Sequence, residues 1–121
     1  MDKQLSFTKH EREILPQLRE NLNLAESTED VKKFFAYAGK ELFEHVLADQ
    51  HVRINYDDIV FDPENTPFYQ VSERLRSHEA FLTVWKNSDL ANLLSNMAAT
   101  SKNRYIRLEK HLDKTEAKTR G

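Results

Sequence analysis

Apolar side chains recur at steps of three and four along most of this chain, the spacing of helices that bury one face. The clearest run goes from Thr28 to about Asp49. Val31, Phe34, Phe35, Ala38, Leu42, Val46 and Leu47 form one stripe, and Lys32, Lys33, Lys40, Glu41 and Glu44 fall off it. Ser27 and Thr28 are candidate N-caps, followed by Glu29 and Asp30 in the first turn, where the positive end of a helix favours acids. Gly39 interrupts the run at a cost of up to about 1 kcal/mol relative to Ala. Close approach of another backbone is a reason to keep it.

An earlier helix is predicted to start near Lys9. Thr8 and Glu11 have capping-box spacing. Leu15, Leu18 and Leu22 face inward, and Pro16 predicts a kink or break near Leu15. A third helix is signalled by Thr66–Pro67. Phe68, Val71, Leu75, His78, Leu82 and Trp85 follow as a seam one side chain wide, suited to a partner helix. The stretch "KNSDL" ends that helix, and Ser88 is placed to cap the next. The last helix starts near Asp89 and runs past Leu112, with Leu90, Leu94, Met97, Ser101, Tyr105, Leu108 and Leu112 inside. Its small, polar middle, "SNMAATSKN", predicts either close packing of another helix or an interruption.

One stretch has a different period. Val52, Ile54 and Tyr56 alternate with Arg53 and Asn55, and Ile59, Val60 and Phe61 follow. That is strand spacing, with a hairpin turning at Asp57–Asp58. A lone hairpin is marginal in water, so it calls for a helix beneath it or a strand from a second copy beside it. The fold expected is mainly α: a single-domain bundle of about four helices over residues 1–121, with one short β segment or hairpin near 52–61.

Composition narrows the chemistry. The chain has 121 residues, no cysteine and two glycines, one of them last. Disulfides, thiolate nucleophiles and cysteine-ligated metals are excluded, and phosphate-cradling glycine loops have no material. No Gly-x-Ser-x-Gly elbow is present. The opening residues lack the apolar run of a signal peptide, and no stretch is long and apolar enough to span a bilayer. The expected location is the cytoplasm, with no membrane partner.

Charge is lopsided. The net charge is −2, but residues 101–121 carry +4, so the rest is acidic. Arg104, Arg107, Lys110, Lys114 and Lys118 are the core of this basic end, and from about residue 113 it reads as a tail prone to fray. Glu109, Asp113 and Glu116 are mixed among the cations, so no clean basic face results. The tail is expected to be solvated or docked on its own acidic body.

Three polar groupings carry possible chemistry. Glu41, His45 and Asp49 form a row at four-residue spacing, the weak candidates for metal ligands; the two-helix repeat of a di-iron bundle is lacking. His78 in the seam reads as a partly buried, hydrogen-bonded core or interface residue. Asp57, Asp58, Asp62 and Glu64 crowd a loop that lacks the glycine of a calcium-binding loop and reads as ordinary polar surface. No catalytic residues and no cofactor are predicted. The expected function is a non-catalytic protein–protein interaction or adaptor module, self-associating or bound to a partner protein. Nucleic acid held by the basic C-terminal helix is the alternative.

Overall fold

The computed structural model describes residues 7–120, with side chains through Lys110. Three long helices dominate: α1 (Thr8–Leu24), α2 (Thr28–Val46) and α5 (Leu90–Arg120). Between α2 and α5 lie a short antiparallel hairpin, β1 (Ile59–Phe61) and β2 (Tyr69–Val71), and two short helices, α3 (Glu73–Arg76) and α4 (Glu79–Lys86). The protein is mainly α with one short β hairpin, the fold class expected from the sequence. No helix among the described residues is long and apolar enough to cross a membrane.

α2 is the central element. It packs against α1, α5 and β1, and contributes Val31, Phe35, Ala38, Leu42 and Phe43 to the core. Its start is fixed as expected, by the Ser27 hydroxyl accepting from the Asp30 N–H at 3.2 Å. It stops at Val46, and Ala48–Gln50 form a separate 3-10 turn. Around α2, Ile14, Leu18 and Leu22 of α1 meet Leu90, Leu94, Met97 and Ala98 of α5 in one continuous core.

The first helix differs from expectation in two ways. Ile14, not Leu15, is the buried residue, and Pro16 lies inside an unbroken α1. Thr8 is the first helical residue, not a cap. The Asp89 carboxylate instead accepts from the Phe7 N–H at 2.8 Å and the Thr8 hydroxyl at 3.2 Å. An acid at the N-terminus of α5 thereby satisfies the N-terminus of α1, where negative charge is favoured. The polar middle of α5 is not interrupted: Met97, Ala98 and Ser101 are buried, and Ser101 returns its hydroxyl to the Met97 carbonyl at 2.9 Å. Leu112, also expected inside, lies outside the described side chains.

The hairpin is not the one the alternation predicted. Residues 52–56 form no strand, and Tyr56–Asp58 are a 3-10 turn, not the bend of a hairpin. Ile59–Phe61 pair with Tyr69–Val71, a partner hidden in the predicted third helix, with Ile59 opposite Val71 and Phe61 opposite Tyr69. Phe61 and Tyr69 close over Phe35 at ring separations of 5.6 and 6.5 Å, so α2 supplies the apolar floor that a two-stranded sheet needs.

Gly39 is where α2 meets β1. A Cβ there would sit 3.1 and 3.2 Å from the Ile59 side chain. Its neighbour is thus a side chain rather than another backbone. Ile59 is fully buried and cannot swing aside, so Gly39→Val is expected to cost about 2–3 kcal/mol by overpacking. A urea unfolding midpoint checks this.

Candidate interaction surface

The seam predicted from Phe68 to Trp85 does not exist as one helix. The chain makes a turn at Phe68, a strand, α3 and α4 in that span. Ser72 caps α3, its hydroxyl accepting from the Leu75 N–H at 3.2 Å, and His78 occupies the N-cap position of α4. The six seam residues therefore scatter. Leu75 is deep in the core. His78 is exposed in the single chain, so it is not part of the core. Phe68 turns away and lies under the Lys102 ammonium, 5.4 Å from the ring centre.

Val71, Leu82 and Trp85 do come together, in a different construction. With Pro67, Tyr69 and Phe81 they line an apolar groove of about 300 Å³ between β2 and α4, in which Arg76 is the one charged residue among those described. Trp85 stacks on Phe81 at 5.4 Å and meets Tyr69 edge-on at 6.3 Å. Tyr69 is buried, which pushes its phenol above the ordinary value, with a bond from Ser95 pulling partly back; its hydroxyl donates to the Ala91 carbonyl at 3.4 Å.

Among the described residues, the strand beside this groove is paired on one side only, by β1. The Asp62 N–H donates to the Phe68 carbonyl and the Ser72 N–H to the Asp58 carbonyl, both at 2.8 Å. In an antiparallel ladder hydrogen-bonded pairs alternate with non-bonded ones. The bonded pairs are therefore 62–68, 60–70 and 58–72. Tyr69 and Val71 point their main-chain N–H and C=O groups away from β1. An unpaired edge of this kind is a template for another strand. Edges are commonly blunted by charge; Tyr69, Gln70 and Val71 carry none.

Asp58 holds the hairpin's open end. It is 3% exposed. It accepts from the Asn55 N–H at 2.7 Å, the Ser72 hydroxyl at 2.6 Å, and the Arg74 guanidinium through Nε and Nη2. Arg74 also donates to the Arg53 carbonyl at 2.6 Å. Burial alone would raise the Asp58 pKa; the bonds from Arg74, Ser72 and Asn55 and the charge of Arg74 outweigh it and hold the carboxyl below its usual value. The predicted polar loop thus divides. Asp58 is a buried lock, while Asp62 organises the exposed loop by accepting from Asn65 and Gln70.

The metal row also comes apart. Glu41 and His45 stay neighbours at 3.8 Å, but α2 ends before Asp49, which sits on the 3-10 turn. His45 stacks on His10 at 5.3 Å. Among the described residues no three acidic or imidazole side chains are grouped to hold an ion.

The described part of the basic end is anchored to carbonyls rather than to acidic side chains. Lys102 donates to the Pro63 carbonyl at 2.5 Å. Arg104 donates to the carbonyls of Asn23 and Ala25, at 3.3 and 3.0 Å. α1 has no basic residue in its last turn, so Arg104 caps it from α5. Arg107 and Lys110 are exposed, and the side chains of Lys114 and Lys118 lie outside the described residues. Comparison with protein-family models, curated proteins and solved structures finds no match.

Proposed function

We propose that this chain is a non-catalytic interaction module that pairs with a second copy of itself along β2. The observation that carries this reading is the uncharged free edge of β2 running beside the apolar groove it shares with α4. A two-fold axis perpendicular to a sheet brings two identical edges together antiparallel. With the axis at Gln70, Tyr69 of each copy exchanges main-chain hydrogen bonds with Val71 of the other. Two marginal hairpins become one four-stranded sheet. No like charges meet along the seam, which favours a second copy as the occupant.

A three-residue ladder is too small to hold a dimer alone, since stable interfaces bury on the order of 1,200–2,000 Å². Leu82 and Trp85, both half-buried in the free chain, supply the apolar remainder. Sedimentation velocity over about 1–100 µM tests the proposal through mass action. A dimer is expected for the native chain. Gln70→Lys sets two ammonium groups against each other at the axis and is expected to weaken association at least about tenfold. Gln70 is exposed and bonded to Asp62, so the lysine keeps a partner and the fold is retained. A strict monomer over that range, or a dimer indifferent to Gln70→Lys, rejects the proposal.

A further inference from the structure

We infer that the groove between the C-terminal half of α1 and the middle of α5 binds a small phosphate-bearing anion through Arg19, Arg104 and Arg107. This site is separate from the β2 edge and does not depend on the dimer. The groove has a volume of about 220 Å³. Among the described residues, three guanidinium groups line it together with the amides of Asn23 and Asn103, and no carboxylate does. Leu22, fully buried, belongs to the same lining.

No ion pair among the described residues engages the three cations; those present involve Lys32, Lys40, His45 and Arg74. Three like charges around one small groove repel one another, and a bound anion removes that repulsion. One of the three is preorganised. Arg104 is pinned by Nη2 to two carbonyls at the end of α1, and its Nε is buried without a partner. Its position does not have to be found when a ligand arrives. Arg19 and Arg107 are exposed and free to close from either side.

The donor set selects the ligand. A guanidinium presents parallel N–H groups that match the oxygens of phosphate in a fork, which an ammonium does not. A phosphate monoester carries about −1.5 to −2 charge near neutral pH, which suits a three-cation site better than a single carboxylate does. The described surface argues for a compact ligand over a nucleic-acid backbone. Lys102, the next cation toward the N-terminus of α5, is turned onto the Pro63 carbonyl and the rings of Phe68 and Tyr105. The positive surface therefore stops within a turn of the groove on that side.

Thermal unfolding in inorganic phosphate or pyrophosphate, against chloride at equal ionic strength, tests the site. A rise of roughly 4–8 °C is expected when ligand exceeds its Kd tenfold, growing with the logarithm of ligand concentration beyond that. Arg19→Glu and Arg107→Glu change exposed positions and should keep the native far-ultraviolet spectrum while abolishing the rise. Arg12→Glu, exposed on α1 outside the groove, should leave it intact. No rise overturns the inference, as does a rise that survives both groove substitutions, which would be general salt stabilisation. A 20-nucleotide DNA or RNA tested alongside supplies the last outcome. Salt-sensitive binding to it that both substitutions remove, with no response to the small anions, also overturns the inference, in favour of an extended nucleic-acid surface.

Discussion

Asp58→Ala is expected to cost about 3 kcal/mol and to lower the unfolding temperature by roughly 10 °C. One carboxylate receives the Asn55 N–H, the Ser72 hydroxyl and two nitrogens of Arg74, so a single truncation strands several donors. Arg74 is about half exposed and can turn to water, which limits the loss on its side. Ser72 and Asn55 have less freedom. They flank the two strands, and without Asp58 the hairpin opens at the end where α3 begins. Asp58→Asn keeps the shape and removes the charge, which separates the two contributions. Its distinguishing readout is acid sensitivity. The folded chain holds this carboxyl below its usual value. The stabilisation is therefore complete above the unfolded pKa near 4, and is lost as pH falls through the lower folded value. Urea midpoints between about pH 7 and pH 2 should show the native chain converging on Asp58→Asn as acid is added. A constant gap across that range would remove the charge from the account.

α2 and α5 are legible because the residues that share their buried stripes lie three and four apart along the chain. Ser27 is legible as a cap for the same reason: the donor it serves is Asp30, one turn on. The span from Phe68 to Trp85 misleads because a spacing of three and four can also arise from short unlike pieces laid end to end. Local signals for the true arrangement are present. Ser72 followed by Glu73 marks a helix start, and Tyr69, Gln70 and Val71 alternate as a strand does. A long apolar seam outweighs them when residues are read as one helix. The strand pairing itself had no local signal, since β1 finds β2 across a seven-residue loop rather than at the Asp57–Asp58 bend.

The candidate surfaces were less legible than the fold, for a related reason. Asp58 and Arg74 are 16 residues apart, and Arg104 reaches a carbonyl 81 residues earlier. Nothing in local spacing marks such partners. In the sequence Asp58 is one acid in a loop of four, and Arg104 is one cation in a mixed tail. Folding distinguishes them by bringing the half-buried Ser72 hydroxyl to the first and a helix end to the second. Arg19 is the sharper case. It sits among the charged residues of α1 and gains a role only because α5 sets Arg104 and Arg107 opposite it.

Phe43→Ala is expected to cost about 3–5 kcal/mol, a large share of the stability of a domain this size. Phe43 is completely buried. Its ring meets Phe81 edge-on at 5.4 Å and Trp85 at 6.4 Å, and these two residues belong to α4. α4 is eight residues long, too short to be stable unless packed, and of its residues only Phe81 and Val84 are buried. Removing Phe43 therefore does more than open a cavity. It takes away the ring of α2 against which Phe81 and Trp85 pack, leaving α4 its contacts with α3 and α5, so α4 should loosen before the three long helices separate. Trp85 is the only tryptophan and reports on this directly. Its near-ultraviolet signal should weaken and its emission shift to the red at denaturant concentrations where helical ellipticity is still native-like. Since α4 is one wall of the groove beside β2, self-association should fail over the same range. Phe43→Leu keeps most of the volume and should retain both properties. Tryptophan emission and ellipticity that fall together in Phe43→Ala would mean that α4 is fastened to the core by contacts other than the Phe43 ring.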